Sequence, residues 1–325
     1  MSAPPSLRSG AAPPGARLPE RGERPERPYA PRRPARPESA LAPAEGPLEV
    51  LDGRGRDPAD EVATGPALLR RVSARGSGGW LRVYRPAPAV AFSRRDGLHA
   101  GYDRAVQAAA AHGFAPVVRA PGGRAVAYHE GALCLELLGS DPDVHRGTTG
   151  RYVELAAVLV EALTSVGVDA RAGAVPDEYC PGRYSVNGAG RVKLAGTAQR
   201  VVRGGWFLGA VLLVDGAGPV RDVIDPVYRA LELRCDVATI GSASELCPGL
   251  DIEDVAAAVR TALSRRVRLE PGRWPDDQDG HRPDDRPDDQ DGQAQRRARD
   301  PQHAALPCRA GLERTPALPT SGGRR

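Results

Sequence analysis

Lysine is almost absent from this chain of 325 residues. Of its 45 lysine and arginine residues, Lys193 is the only lysine. An ammonium is a compact point charge on a thin stem, whereas a guanidinium is planar and wide. A single lysine among so many arginines suggests a narrow position that a guanidinium cannot fill, so the residues around Lys193 are the first place to look for a function.

Long apolar runs and paired cysteines are also missing. No apolar run is long enough to cross a membrane, and the N-terminal residues lack the apolar stretch of a signal peptide. The five cysteines are odd in number and have neither disulfide-type nor metal-type spacing. No basic stripe interleaved with aromatic residues is present. These absences predict a cytoplasmic protein with no metal, no membrane association and no nucleic-acid partner.

The two ends of the chain differ in composition from its middle. Residues 1–47 hold twelve of the 32 prolines and little periodic apolar pattern, and the segment from residue 267 onward repeats PDDQDG at 275–280 and 287–292. Such segments bury too little apolar surface to offset the entropy of ordering them. We therefore predict a disordered arm over 1–47, one folded domain over 48–266 and a disordered tail over 267–325.

The middle of the chain alternates between helical and strand patterns. Apolar spacing predicts helices over 59–74, 101–113, 149–167 and 251–266, and a short helix that starts near Pro226. Two strands separated by prolines are predicted over 81–94, and strand–turn–strand–turn–strand patterns over 115–138 and 183–215. Hairpins mixed with helices, without a regular βαβ rhythm, predict an α+β fold with a mostly antiparallel sheet flanked by helices.

Two residues of segment 177–200 have chemical potential. Cys180 precedes a Pro-Gly turn and should lie on a loop, thirteen residues before Lys193. A thiol attacks as the thiolate, which a nearby ammonium stabilises, so the two could form a nucleophile and its electrostatic partner. Spacing alone favours the alternative that the two residues are unrelated. Gly196, with other glycines near Lys193, would let a ligand approach the backbone.

A second segment, 119–131, contains a double-glycine turn between two predicted strands. The backbone N–H groups of Gly122 and Gly123 could bind an anion or a carbonyl oxygen, and Arg119 and Arg124 flank them. His129, on the following strand, is a candidate base for Cys180 or for an incoming amine, ranked below Cys180 and Lys193 because a lone histidine more often braces the sheet.

The two segments together carry a family resemblance. The pattern R-x-x-G-G-x-A-V-x-x-H-x-G, then a helix, then GRVKLAGTAQR, resembles the lipoate/octanoate–protein transferase and ligase family, which shares its catalytic fold with biotin–protein ligase. The resemblance implies an α+β catalytic domain in which the lysine that Lys193 matches reaches the acyl carbonyl or its activated phosphate.

Within that family, the resemblance favours the transferase branch. YCPGRYS is similar to the cysteine loop of octanoyl amidotransferases, and Cys180 matches their nucleophile. The ligase loop has two adjacent arginines and a third glycine, where this chain has Val118-Arg119 and Arg124. Ligases also usually use a small C-terminal domain, where this chain has the low-complexity tail.

The transferase interpretation needs no cofactor and takes an octanoyl or lipoyl group as substrate. Its implied partners are lipoyl-domain proteins, namely the glycine-cleavage H protein and the E2 subunits of 2-oxoacid dehydrogenases, or acyl carrier protein. The alternative is a lipoate–protein ligase that needs ATP and Mg²⁺, with Lys193 on the adenylate. A third possibility is a non-catalytic module that binds lipoyl domains.

Three other cysteines and four apolar residues near the motifs also have predicted roles. Cys134 lies between leucines and should be core packing, Cys308 lies in the predicted tail, and Cys247 opens a second CPG triplet, which makes it the competitor of Cys180. Four residues near the motifs could line an apolar slot for the acyl chain or simply pack in the core: Val126, Tyr128, Leu194 and Ala198.

Overall fold

The computed structural model of the chain describes residues 39–52 and 57–275. Its helices are α1 (Pro58–Arg75), α2 (Arg94–Gly97), α3 (Tyr102–Ala111), α4 (Thr148–Ser165), α5 (Ala217–Ala230), α6 (Ala243–Leu246) and α7 (Ile252–Ser264). Its strands are β1 (Leu48–Asp52), β2 (Gly79–Tyr84), β3 (Ala89–Phe92), β4 (Ala115–Val118), β5 (Val126–Tyr128), β6 (Ala132–Ser140), β7 (Ala170–Ala172), β8 (Val186–Gly188), β9 (Val192–Val202), β10 (Gly205–Leu213) and β11 (Leu269–Pro271).

The strands form two sheets. An eight-stranded sheet has the order β11-β1-β2-β6-β10-β9-β8-β7, and a three-stranded sheet has the order β4-β3-β5. In the larger sheet, β1 is parallel to β2 and β11, and the remaining pairs are antiparallel. The predicted α+β class with a mostly antiparallel sheet and flanking helices is confirmed.

Local sequence explains where the principal helices begin and end. Asp57 caps α1 by accepting the N–H of Ala59, and Gly76 ends it in the left-handed conformation that glycine adopts without strain. Asp251 caps α7 in the same way, through the N–H of Glu253. The buried apolar faces of α4 and α7 pack in the same core cluster with the central strands of the eight-stranded sheet.

The helix predicted near Pro226 begins earlier than expected. It starts at Ala217, and Pro226 lies inside it. A proline that lacks an N–H fits the first turn best, which is why the sequence suggested a start there. The buried side chains Val220, Val223 and Ile224 precede the proline at helical spacing, and their burial compensates for the missing hydrogen bond.

The folded part of the chain extends beyond both predicted boundaries. At the N-terminal side, Leu41 is fully buried in the core. At the C-terminal side, β11 pairs with β1, and Trp274 packs beside it in a third apolar cluster. The disorder predicted for residues 1–38 and 276–325 lies outside the described residues.

The three-stranded sheet and the edge of the larger sheet hold the two segments that the motifs single out. The double-glycine turn, residues 119–125, joins β4 to β5. The loop that contains Cys180, residues 173–185 and hereafter the Cys180 loop, joins β7 to β8. Between β8 and β9 the register shifts at Val186 and Asn187, and this irregularity lies where Lys193 pairs with Asn187.

Candidate active site

Cys180 lies at the point where the Cys180 loop meets the double-glycine turn. Its backbone has a φ of 41°, which is unusual for a residue with a side chain. Its half-buried Sγ accepts the backbone N–H of Arg124 at 3.3 Å and lies 4.0 Å from Nη2 of Arg119. An N–H donor and a guanidinium of the double-glycine turn therefore both lie beside the sulfur.

The close approach of the turn to the sulfur depends on Gly123. Its φ is 106°, and a Cβ at this position would lie 3.1 Å from Sγ of Cys180 and 2.7 Å from Nη2 of Arg119. A Cβ on Gly122 would meet nothing within 4 Å. Of the two glycines in the predicted turn, only Gly123 is therefore required by the geometry around the thiol.

The two arginines of the turn hold it in place. Arg119 donates from Nη2 to the backbone carbonyl of Arg124 at 2.8 Å, and Arg124 forms a 3.5 Å ion pair with the buried carboxylate of Asp96. Nε of Arg119 is buried and has no hydrogen-bond partner among the described residues. Its hydrogen is thus an unused donor on the same guanidinium whose Nη2 lies 4.0 Å from Sγ of Cys180, and a site for a carbonyl oxygen requires such donors.

Lys193 is buried beneath the Cys180 loop. Its Nζ donates to Oε1 of Glu178 at 3.0 Å, to the carbonyl oxygen of Tyr179 at 3.0 Å and to that of Cys180 at 2.7 Å. These three acceptors use all three hydrogens of an ammonium. In the structure these contacts hold the Cys180 loop, and the ammonium is not directed towards an open space in which an acyl carbonyl, the predicted partner of Lys193, could lie.

The same geometry explains why this position has a lysine. A Cβ on Gly196 would lie 3.3 Å from Cε and 3.5 Å from Nζ of Lys193, so the space around the ammonium is narrow. Gly196 was predicted to let a ligand come close, and in the structure the group it admits is this lysine side chain. A planar guanidinium is wider than an ammonium, so we expect an arginine to fit this position less well.

His129 lies in a structural position. Its Nδ1 accepts the N–H of Gly131 at 3.0 Å, so the hydrogen lies on Nε2, which donates to the carbonyl of Gly216 at 2.8 Å. Its ring also meets Phe114 edge-on at 6.4 Å. Both nitrogens are occupied by backbone groups, so the geometry does not support His129 as the base for Cys180.

Two residues that the sequence reasoning missed complete the site. Glu178 is a buried carboxylate that contacts Lys193. Tyr228, on α5, accepts the N–H of Cys180 at 2.7 Å and donates to the carbonyl of Ala125 at 3.1 Å. Burial raises the pKa of Tyr228, so it stays a neutral phenol that can donate. Glu178 precedes Cys180 by two residues and could have been noticed, whereas nothing in the sequence links Tyr228 to the site.

The predicted acyl slot is only partly assembled. Val126 and Tyr128 belong to the apolar cluster against which Cys180 packs. Leu194 instead belongs to the core cluster beneath the eight-stranded sheet, and Ala198 is partly exposed on β9. Val126 and Tyr128 therefore remain candidates to line a slot for an acyl chain on Cys180. Leu194 packs in the core, which was the alternative role predicted for it.

Cys134 and Cys247 lie away from these contacts, whereas Cys235 packs against the same apolar cluster as Cys180. Cys134 is buried in β6, as predicted, and burial raises the pKa of its thiol. Cys247 lies between α6 and α7, where its Sγ faces the carbonyl of Val166 at 3.7 Å. The second CPG triplet is thus in a separate loop. Cys308 lies outside the described residues.

Residues 57–264 match the model of the lipoyl protein ligase A/B catalytic domain. This match covers more than half of the chain, so the chain belongs to that family and the predicted resemblance is confirmed. An octanoyl-[GcvH]:protein N-octanoyltransferase of Geobacillus kaustophilus is 30% identical over 165 residues, which are 51% of this chain and 58% of that protein. A protein of the same name from Exiguobacterium sibiricum is 33% identical over 164 residues, 49% and 56% of the two chains.

The chain therefore spans little more than half the length of these two relatives. Among solved structures, the crystal structure of lipoate-protein ligase A bound with ATP has a TM-score of 0.56 and 20% identity, over 81% of this chain and 97% of that one. This likeness shows the fold. Within residues 39–52 and 57–275, no helix is both long and apolar enough to span a bilayer.

Proposed function

We propose that this protein is a cysteine-dependent acyltransferase that moves an octanoyl or lipoyl group from a carrier protein to the acceptor lysine of a lipoyl domain. One observation carries the proposal: Sγ of Cys180 accepts the N–H of Arg124 from a turn in which Gly123 leaves room for the sulfur. The names of the two relatives, both N-octanoyltransferases, favour octanoyl over lipoyl.

In the first step, the thiolate of Cys180 attacks the carbonyl carbon of the carried acyl group. A C–S bond forms, the bond to the carrier breaks, and the proton that the thiol gave up ends on the leaving amine or thiol of the carrier. The negative charge that develops on the carbonyl oxygen needs donors. The backbone N–H of Arg124 and Nη2 of Arg119 lie beside the sulfur, and Nε of the same guanidinium has no partner among the described residues.

The hydrogen-bond donors near Cys180 determine how strongly the site can stabilise the oxyanion of the transition state. One well-aimed donor to such an oxyanion contributes about 2.7–4 kcal/mol to the transition state. Lys193 acts here through position, because its three hydrogens hold Glu178 and the carbonyls of residues 179 and 180.

In the second step, the neutral amine of the acceptor lysine attacks the thioester on Cys180. A C–N bond forms, the C–S bond breaks, and the amine's proton returns to the thiolate. The name of the relatives places the octanoyl donor of those proteins on GcvH, so we propose the glycine-cleavage H protein as donor and E2 lipoyl domains as acceptors. Acyl carrier protein is the alternative donor. Neither step consumes ATP or Mg²⁺, which only a ligase reaction would need.

The test is intact-protein mass spectrometry of the full chain after incubation with an octanoylated H protein and no ATP. We expect an octanoyl adduct on Cys180 that hydroxylamine removes and that an acceptor lipoyl domain discharges. Cys247→Ser is the matched control, because the same CPG triplet surrounds that residue, and it should retain the adduct and the transfer.

Two outcomes would contradict the proposal. Transfer that requires ATP and persists in Cys180→Ser would identify a ligase. Binding of the lipoyl domain without an adduct and without transfer would leave a non-catalytic binding module.

A further inference from the structure

The carboxylate of Glu178 accepts hydrogen bonds from residues on both sides of Cys180. Oε2 accepts the backbone N–H of Val175 at 3.0 Å. Oε1 accepts the N–H of Gly182 at 3.0 Å, the hydroxyl of Ser185 at 2.6 Å and Nζ of Lys193 at 3.0 Å. A single side chain thus ties together a segment that runs from five residues before the cysteine to five residues after it.

This carboxylate has no contact with solvent. Its side chain is 0% exposed, and that of Lys193 is 2% exposed. A buried charge is retained in a protein when it is paired and fully hydrogen-bonded, and Glu178 satisfies both conditions. All of its hydrogen-bond partners are Lys193 or residues of the Cys180 loop, so the carboxylate stabilises the conformation of this loop.

The backbone of Cys180 needs such support. A residue with a side chain is uncommon at a φ of 41°, and it persists where surrounding contacts fix it. The contacts at Cys180 are the hydroxyl of Tyr228 on its N–H and the ammonium of Lys193 on its carbonyl. Glu178 fixes that ammonium, so it acts on Cys180 through Lys193 as well as through the loop.

We propose that Glu178 is a positioning residue that holds the Cys180 thiol against the N–H of Arg124 and the guanidinium of Arg119. Its relevance to catalysis rests on the proposed function, but the placement of the thiol does not, and it can be measured without any acyl substrate.

The measurement compares alkylation of Cys180 by iodoacetate, an anion, and by iodoacetamide, its neutral analogue of similar size. The ratio of the two rates, mapped by peptide mass spectrometry in the full-length protein, reports positive charge at the sulfur because general access affects both reagents. A cation about 4 Å away changes such a ratio by about fivefold. We expect the wild-type ratio at Cys180 to exceed that at Cys247 by about this factor.

Glu178→Gln separates positioning from a direct electrostatic effect, because the two have opposite signs. Removing a negative charge near the thiol would by itself raise the iodoacetate ratio. If Glu178 positions the sulfur beside Arg119, the ratio at Cys180 instead falls by about fivefold, to the value at Cys247. Buried Cys134 reports folding and should stay unlabelled.

Ser185→Ala provides a second variant without a change of charge. It removes one of the bonds to Glu178, and the ratio at Cys180 should fall by about twofold, less than in Glu178→Gln. A ratio that rises or stays unchanged in folded Glu178→Gln would overturn the proposal. If Cys134 becomes labelled in Glu178→Gln, that variant is misfolded and Ser185→Ala becomes the test. An unchanged ratio at Cys180 in Ser185→Ala would then overturn the proposal.

The acyl-transfer assay separates this proposal from the proposed function. If wild-type protein forms no octanoyl adduct while the alkylation ratios change as expected, the placement of the thiol stands and the transferase does not.

Discussion

At the scale of single residues, the site depends on small groups in narrow places. Gly123 admits the sulfur of Cys180, and Gly196 admits the ammonium of Lys193. In both cases a glycine without a Cβ leaves space for the end of another side chain. The sulfur and the ammonium can then come close enough to form their hydrogen bonds. The sequence predicted a substrate contact for Lys193, and in the structure its ammonium contacts the Cys180 loop.

The two glycines of the turn provide a matched pair of variants. Gly123→Ala should lower the rate of Cys180 acylation by at least about tenfold, since its Cβ would meet Sγ at 3.1 Å in a backbone conformation unfavourable to alanine. Gly122→Ala should leave the rate within about twofold, because its Cβ meets nothing within 4 Å. Single-turnover mass spectrometry measures both, and equal effects would contradict this account of the turn.

Lys193→Arg should be nearly as damaging as Lys193→Ala. The variant keeps the charge, but a guanidinium is wider than the ammonium that lies against Gly196, and its planar donors cannot reproduce the geometry with which an ammonium binds Glu178 and both carbonyls. We expect the acylation rates of the two variants to agree within about tenfold and to lie about 100-fold below wild type, as loss of an oxyanion-type arrangement does. A Lys193→Arg protein that retains most of the wild-type rate would show that the width of the space does not matter.

At the scale of elements, the site is held by tertiary hydrogen bonds between loops. Tyr228 on α5 joins the Cys180 loop to the double-glycine turn through the N–H of Cys180 and the carbonyl of Ala125. His129 ties the β5–β6 turn to the start of α5 in a comparable way, through Gly131 and Gly216. Helix α5 is therefore an anchor for both the site and the three-stranded sheet.

His129→Ala distinguishes bracing from base catalysis. Loss of two backbone hydrogen bonds should lower the free energy of unfolding by about 1–3 kcal/mol. The rate of Cys180 acylation, measured well below the melting temperature, should stay within about threefold of wild type. Exposed His112 supplies the control, since His112→Ala removes an imidazole that makes one local contact. A loss of about 100-fold in rate with unchanged stability would restore His129 as the base.

At the scale of the whole molecule, the fold uses residues that composition had assigned to the tails. Ser39 and the N–H of Ala40 bind the carboxylate of Glu154 on α4, which anchors the segment that carries Leu41 into the core. On the other side, β11 extends the sheet next to β1. Proline-rich composition thus marked the ends of the fold only approximately.

Leu41→Ala tests whether this N-terminal segment belongs to the fold. The side chain is fully buried, so the substitution should lower the free energy of unfolding by about 2–5 kcal/mol. The same substitution at Leu98, which is 88% exposed, should change it by less than about 0.5 kcal/mol. Urea denaturation of the full chain measures both, and equal values would mean that Leu41 adds nothing to the core.

The sequence by itself determined most of the elements, and it placed a thiol and a double-glycine turn in the two motifs. Apolar periodicity places α1, α4 and α7, proline and glycine place the turns, and the CPG triplet puts a thiol on a loop, because these features act over a few neighbouring residues. What only the tertiary structure decided is which groups meet: that Tyr228 binds Cys180 across 48 residues, that both nitrogens of His129 are occupied, and that Lys193 faces the loop. The physical reason is that these contacts depend on how two sheets and α5 pack together, and on a shift of register between β8 and β9, none of which leaves a local pattern in the chain.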